Sequence, residues 1–488
     1  MRTFLSGYSV ASVAAALVVG CTLSAQPTPF DIVIRGGRVL DPESGLDAIR
    51  AIGIRGGRIA AISTGALTGR RVIDARGLVV SPGFIDLHSH GQDDENYRVM
   101  AMDGVTTALE LEAGTADVAK FYADRAGRAL INFGAAASHI KARMTVLHDA
   151  GIASNTLLPL DSAGYVVATA AQVAEMRRFI ERGLDAGGLG VGMGLQYTPA
   201  ATRQEVLEAF RSAASRAAPV FVHTRSWGDA EPGSSVESYL EVIGASAITG
   251  APLHIVHLNS TSLSNTPHTL AMVAEARQRG LDVTTEAYPY VAGATELSSP
   301  LLDRYMNAPD SVFGSLMLVR TGERLTRETF LRNRKNPGEK VILFVNTPAM
   351  EAMAITSPLT AIASDGRIED GKGHPRTAGT FARVLGHYVR ETQQLTLMQA
   401  VTKMTLLPAR RLERRAPVFR GKGRLRVGAD ADIAVFDPAT VIDRATYAQP
   451  ALPSAGFRFV LVHGVPVVSD GALVSGVFPG RGARAPER

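Results

Sequence analysis

The stretch GFIDLHSH, residues 83–90, closes an apolar run with two histidines one residue apart, in a chain that has only 11 histidines among 488 residues. Successive side chains on a β-strand alternate faces, so residues two apart project the same way. His88 and His90 therefore leave the end of one strand side by side. Two adjacent imidazoles are costly to place unless something uses them.

Working outward, apolar runs of strand length recur through the middle of the chain. They are VVSPGFIDLHSH (79–90), TTALELEAG (106–114), INFGAAASH (131–139), GGLGVGMGL (187–195), APVFVHTRS (218–226), PLHIVHLNS (252–260), DVTTEAYPY (282–290) and TAIASDG (360–366). Helical patterns such as AAQVAEMRRFIERGLDAG, QEVLEAFRSAASRA and TLAMVAEARQRG fall between several of them. Eight strands with intervening helices predict an α/β fold, a (β/α)8 TIM-like barrel over residues 81–415. The flanks differ. Residues 30–80 read as short strands with Gly-Gly pairs at tight hairpins, and residues 416–488 have the same character in ADIAVFDPATV and FRFVLVHGVPVVSDGALV. The expectation is one small β-sandwich built from both chain ends. A charged insert, 302–340, separates strands seven and eight and reads as a lid or a surface excursion.

The polar residues collect where a barrel carries its active site, at the C-terminal strand ends. His88 and His90 end the first strand, Glu110 and Glu112 the second and His139 the third. His223 ends the fifth, His257 the sixth and Asp365 the eighth. Imidazole and carboxylate together suit zinc or a similar divalent ion. His148, His268, His387 and His463 read as structural histidines.

Bulk composition sets the remaining bounds. Hydrophobic residues at 46% and charged residues at 20% are ordinary for a globular protein. A net charge of +5 with scattered basic residues excludes a nucleic-acid-binding stripe. Residues 1–29 read as an export signal and tether, with an arginine, a short apolar run and then Cys21, the only cysteine. Val18-Val19-Gly20-Cys21 resembles a lipobox, in which the cysteine is lipidated. The alternative is cleavage near Ser24-Ala25. Both place the protein outside the cytoplasm, periplasmic or tethered to a membrane by lipid. Oligomeric state is not legible.

The motifs GFIDLHSH, HTRS, HIVHLNS, ASDG and ADADIAVFD resemble the amidohydrolase superfamily. GLGVGMGLQYTP, AYPYVAGAT, GHPRTAGTFARVLGHYVRE and FDPATVIDRATY, in that order, resemble the D-aminoacylases, or N-acyl-D-amino-acid deacylases. The resemblance runs from about residue 30 to the C-terminus. It implies a metal-dependent hydrolase of a small-molecule amide, with Asp365 as general base. His88, His90 and Asp365 would hold one metal position, and His223 and His257 another.

The chain departs from the family at the bridging ligand. Many binuclear relatives use a carboxylated lysine on the fourth strand, and D-aminoacylases use a cysteine after the second. Neither is here, and Glu112 is the expected substitute, with Glu110 the alternative. The resemblance further implies substrate contacts for Arg376, Tyr290, Thr295, Asn259 and His139, with a structural role equally open for His139. Asn259 stands where the family carries a lysine. That leaves open an exported dipeptidase of the prolidase-like kind. The absent fourth-strand lysine argues against a cyclic-amide hydrolase of the hydantoinase or dihydroorotase kind, and the retained Asp365 and histidines argue against a surface binding lipoprotein without turnover.

Overall fold

The computed structural model describes residues 1, 3–5, 7, 29–154 and 156–488. Cys21 and nearly all of the export segment lie outside the described residues. Among the described residues no helix is long and apolar enough to cross a membrane.

Five strands open the described fold: β1 (Phe30–Asp41), β2 (Leu46–Arg55), β3 (Arg58–Ser63), β4 (Gly69–Asp74) and β5 (Val79–Pro82). The barrel strands follow: β6 (Phe84–Asp86), β7 (Val105–Thr115), β8 (Asn132–Ser138), β9 (Val191–Gly194), β10 (Val220–His223), β11 (Leu253–Ile255) and β12 (Val283–Ala287). Next come β13 (Ala292–Glu296), β14 (Leu316–Leu318) and β15 (Lys340–Phe344), and then β16 (Thr360–Ile362), the eighth barrel strand. A two-residue hairpin, β17 (Ile368–Glu369) and β18 (Lys372–Gly373), precedes the C-terminal β19 (Ile433–Phe436), β20 (Phe457–Val462), β21 (Val465–Ser469) and β22 (Ala472–Leu473).

Strands β6 to β12 and β16 form one parallel sheet in sequence order. Its two edges meet just past the strand ends. There the Asp365 amide donates to the His88 carbonyl at 2.7 Å and the His90 amide to the Gly366 carbonyl at 3.0 Å. The closure therefore joins the two segments that carry candidate ligands. One buried cluster combines strand residues Ile85, Leu87, Leu109, Leu111 and Phe221 with Leu412, Phe419, Ala483 and Ala485, so the chain's tail helps to fill the barrel. Strand residues such as Ala108, Val220, Val222 and Ile255 pack instead with helix residues Met176, Ile180 and Phe210. Parallel strands buried on both sides account for the continuous apolar runs in the sequence.

The two flanks share a nine-stranded sheet, ordered β22-β21-β20-β19-β5-β1-β2-β3 with β4 on β1. Strand β5 pairs antiparallel with β19, Val80 opposite Val435, joining the N- and C-terminal parts. Their side chains merge into a separate core of Ile32, Ile52, Ile73, Ile433 and Leu461.

Two details correct the sequence reading. VVSPGFIDLHSH is not one strand. It divides at Gly83 into β5 of the flank sheet and β6 of the barrel. A side chain at Gly83 would collide with Thr106, whose Cγ2 lies 2.2 Å from the Cβ position. Of the two Gly-Gly pairs, Gly56-Gly57 turns a hairpin, but Gly36-Gly37 is a bulge inside β1, where the register against β2 slips. A Cβ at Gly37 would meet Val80 at 2.5 Å, so glycine is required there by the close approach of β5.

The insert is larger than residues 302–340. It begins at β13, which pairs with β15, itself paired with β14. Insert residues Leu297, Leu301, Phe313, Phe330 and Leu343 pack with Ala113, Ile140 and Tyr197, which follow barrel strands or lie at their ends. It is a roof over the barrel mouth.

Candidate metal centre

Glu112 stands at the middle of the histidines. Its Oε2 lies 3.2 Å from Nε2 of both His88 and His90. Its Oε1 lies 2.8 Å from His223 Nδ1 and 3.5 Å from His257 Nε2. Asp365 closes the first side, with Oδ1 3.4 Å from His88 Nε2 and 3.3 Å from His90 Nε2. Two groups of donor atoms are close enough to share an ion: His88, His90 and Asp365, and His88, Glu112 and His257. His223 belongs to neither group. It is tied to Glu112 on one ring nitrogen, and its Nε2 meets Gln196 Oε1 at 2.7 Å. His257 (φ +32°) and Asp365 (φ +52°) sit in left-handed backbone that non-glycine residues seldom adopt, as happens where a site over-determines the chain.

The donor chemistry fits a cation. His88 Nδ1 is taken by Glu286 Oε1 at 2.6 Å, and His90 Nδ1 by Glu110 Oε2 at 2.9 Å. With each Nδ1 proton held by a carboxylate, the Nε2 lone pairs face each other at 3.2 Å and also face Glu112 and Asp365. Such an electron-rich centre calls for positive charge between them. Without an ion, the carboxylates draw protons onto the site instead. Burial lowers His88, but the carboxylates of Asp365, Glu112 and Glu286 overcome it and raise the imidazole to about 10. Burial raises Glu112, yet hydrogen bonds from His223, His257 and His88 hold it well below the usual carboxylate range. Burial also raises Asp365, and the Arg376 guanidinium, then His88, hold it ionised.

The centre opens into a cleft between the barrel mouth and the roof. His90, Glu112, Asp365, Arg376, Tyr197 and Thr295 line it, with roof residues Glu296, Val319 and Lys340. Arg376 is buried, its Nη1 2.9 Å from Asp365 Oδ2 and its guanidinium 4.5 Å over the Tyr288 ring.

Three sequence-predicted substrate residues are not brought to this cleft. His139 is buried behind it, with Nε2 on Glu205 Oε1 at 2.7 Å. Asn259 ties Tyr288 by both backbone groups, donating to its carbonyl at 3.0 Å and accepting from its amide. The Tyr290 hydroxyl faces Asp443 Oδ2 at 3.5 Å. Of the two glutamates that spacing left equivalent, Glu110 accepts from the Ala113 and Gly114 amides as well as from His90, so its carboxylate is spent on the irregular end of β7.

The sequence reading missed Glu286, His254, Gln196 and His374. Glu286 Oε2 meets His254 Nε2 at 3.0 Å beneath His88. The available signal was an ionisable residue inside each of β11 and β12, strands otherwise buried on both faces. His374, which lines the cleft, lies two residues before Arg376 in a motif already singled out.

The amidohydrolase family profile matches residues 71–308 and 336–468, most of the chain. The chain belongs to the amidohydrolase family. Among its amidohydrolase relatives is the N-acyl-D-glutamate deacylase of Alcaligenes xylosoxydans xylosoxydans, 32% identical over 90% of this chain and 93% of that protein. The D-aminoacylase of the same organism is 32% identical over 93% of this chain and 97% of its own length. Of solved amidohydrolase structures, the Bordetella bronchiseptica N-acyl-D-glutamate deacylase superposes with a TM-score of 0.79 at 29% identity. It covers 94% of this chain and all of that one, and it holds zinc and a phosphonate mimic of the reaction's tetrahedral intermediate.

Proposed function

We propose that this amidohydrolase deacylates N-acyl amino acids, using one or two divalent ions, zinc foremost, and Asp365 as general base. One observation carries the reading. Asp365 presents Oδ1 to the His88 and His90 donors and Oδ2 to the cleft arginine Arg376, so one carboxylate spans the cation site and the substrate space. His88, His90 and Asp365 would hold one ion, and Glu112 with His257 another; His223, expected beside His257, has its ring nitrogens on Glu112 and Gln196 and would join that position only by releasing Gln196. A divalent ion held by these residues would acidify a water and polarise an amide carbonyl. Asp365 accepts the proton of the attacking water and passes it to the departing nitrogen. Arg376, pinned between Tyr288 and Asp365, offers a planar cation to the substrate carboxylate and keeps Asp365 ionised. Glu286 and Glu110 hold His88 and His90 by Nδ1, leaving both Nε2 atoms as donors.

The names of the relatives support N-acyl-D-amino acids as substrates. The test is metal content by mass spectrometry together with turnover of N-acetyl D- and L-amino acids. The reading expects one or two equivalents, turnover in one stereochemical series, and a loss of at least about 10²-fold in Asp365→Asn. Metal-replete protein that turns over neither series would defeat it.

Export as a lipoprotein belongs to the same proposal. It is supported by the pattern of residues 1–21 and the lone Cys21. Labelled palmitate should enter the wild-type chain in a bacterial host and not Cys21→Ala, and equal labelling of both would refute lipidation.

A further inference from the structure

The outer part of the cleft carries charge that the proposed chemistry does not use. Lys340, the first residue of β15, and Arg367, two residues past Asp365, both line the cleft with Arg376. Lys340 Nζ and Arg367 Nη2 reach the same carboxylate, Glu369, which does not line the cleft and is 44% exposed. Two cations therefore share one solvated counter-charge. The Nε of Arg367 is buried with no partner. Glu296 lies opposite Lys340 in the β13–β15 register and also lines the cleft, yet it pairs with neither cation. Its Oε1 accepts from the Leu157 amide at 3.2 Å, and its Oε2 is buried without a partner. Burial raises the Glu296 carboxyl, against the nearby Lys340 and Arg367 charges. The rest of this wall, Leu157, Leu158 and Val319, is apolar.

From this arrangement we infer that Lys340 and Arg367 form a second anion subsite, so that the preferred substrate is a dianion carrying one carboxylate for Arg376 and another for this pair. The inference rests on the N-acyl amino acid reading and specifies it. The second carboxylate comes from an acidic side chain or from an acidic acyl group. Glu369 acts as a displaceable counter-ion, holding the two cations until a substrate carboxylate takes its place. An exposed ion pair is weak enough for that exchange.

The experiment compares kcat/KM for N-acetyl-glutamate, N-succinyl-leucine and N-acetyl-leucine, in the active stereochemical series, for the metal-loaded wild type, Lys340→Met, Arg367→Met and Glu369→Gln. The wild type should prefer one dicarboxylate over N-acetyl-leucine by about tenfold or more. Preference for N-acetyl-glutamate places the second carboxylate on the side chain, and preference for N-succinyl-leucine places it on the acyl group. Either methionine variant should collapse that ratio, with the change in KM. Glu369→Gln, which removes the competing anion, should widen it. A wild-type preference for N-acetyl-leucine, or a ratio unmoved in both methionine variants, overturns the subsite. If none of the compounds is hydrolysed, the deacylase reading fails separately. The subsite is then judged by calorimetric titration with N-acetyl-glutamate, N-succinyl-leucine and N-acetyl-leucine. Tighter binding of a dicarboxylate that Lys340→Met abolishes supports it, and equal affinities refute it.

Discussion

Glu112 and Glu110 show what spacing can and cannot resolve. Both were legible as carboxylates at the end of the second strand, and their two-residue separation made them equivalent. What separates them is the register slip of β7 against β8 between Glu110 and Thr115, a backbone event with no sequence signature. Glu110 then holds the irregular end of β7, while Glu112 reaches four histidines. Glu112→Ala should lose at least half of the bound metal and about 10²-fold in kcat, as a group placed to share two cation positions would. Glu110→Gln keeps an acceptor for the Ala113 and Gly114 amides and should bind the same number of ions, with affinity lowered through His90. Metal stoichiometry after exhaustive dialysis, read beside chelator competition, checks both. Equal metal loss in the two variants would contradict the assignment. Asp365, His88, His90, His223 and His257 were all legible because each ends a strand. Glu286 and His254 were not singled out, since the strand-end rule passes over residues within a strand.

At the scale of elements, the barrel was legible because doubly buried parallel strands read as unbroken apolar runs. The flank bulge at Gly36-Gly37 was not, because a Gly-Gly pair serves a turn and a bulge alike. For the third-strand histidine a substrate-side role and a structural one read equally well, and it braces a helix. His139 opens helix 139–146, and Glu205, in helix 203–214, accepts from both His139 and Arg143. Arg143, wholly buried, also donates to the Ala163 and Val166 carbonyls, so this cluster pins the loop that carries Leu157 and Leu158 to the cleft. Burial opposes ionisation of Glu205, but His139 and then Arg143 hold its carboxyl below the usual value. Glu205→Ala leaves the Arg143 guanidinium buried without its counter-charge and should cost about 3–5 kcal/mol. Urea unfolding of the metal-loaded protein measures it, and a cost under about 1 kcal/mol would show that Arg143 finds water instead.

Across the whole molecule, the joining of two distant flanks into one sheet was legible from their shared strand character. The polar seam between flank sheet and barrel was not, because its residues are ordinary singly and far apart in sequence. Asn132 at the start of β8 donates to Asp432 Oδ2 at 2.9 Å and accepts from His463 Nε2, also at 2.9 Å. Lys422 Nζ meets Asp432 at 2.6 Å and Asp430 at 3.2 Å, with all three residues buried. Burial raises Asp432, but Lys422 lowers it further, leaving its folded pKa below the unfolded value. Its stabilisation is therefore present above the unfolded carboxylate pKa and is lost as pH falls through the folded one. Lys422 moves the other way. Burial lowers it, Asp432 and Asp430 raise it more, and its stabilisation holds below the unfolded lysine pKa and fades as pH rises through the folded one. The seam should then be strongest across neutral pH. Lys422→Met abandons two buried carboxylates and should cost about 3–5 kcal/mol near pH 7. Without the lysine, burial dominates Asp432 and favours its neutral acid, so acid should relieve the variant while the wild-type seam holds down to the unfolded carboxylate pKa. Urea midpoints measured from pH 7 down to pH 4 should converge. A gap that stays constant or widens toward acid would mean that the lysine acts through packing of its stem rather than through its charge.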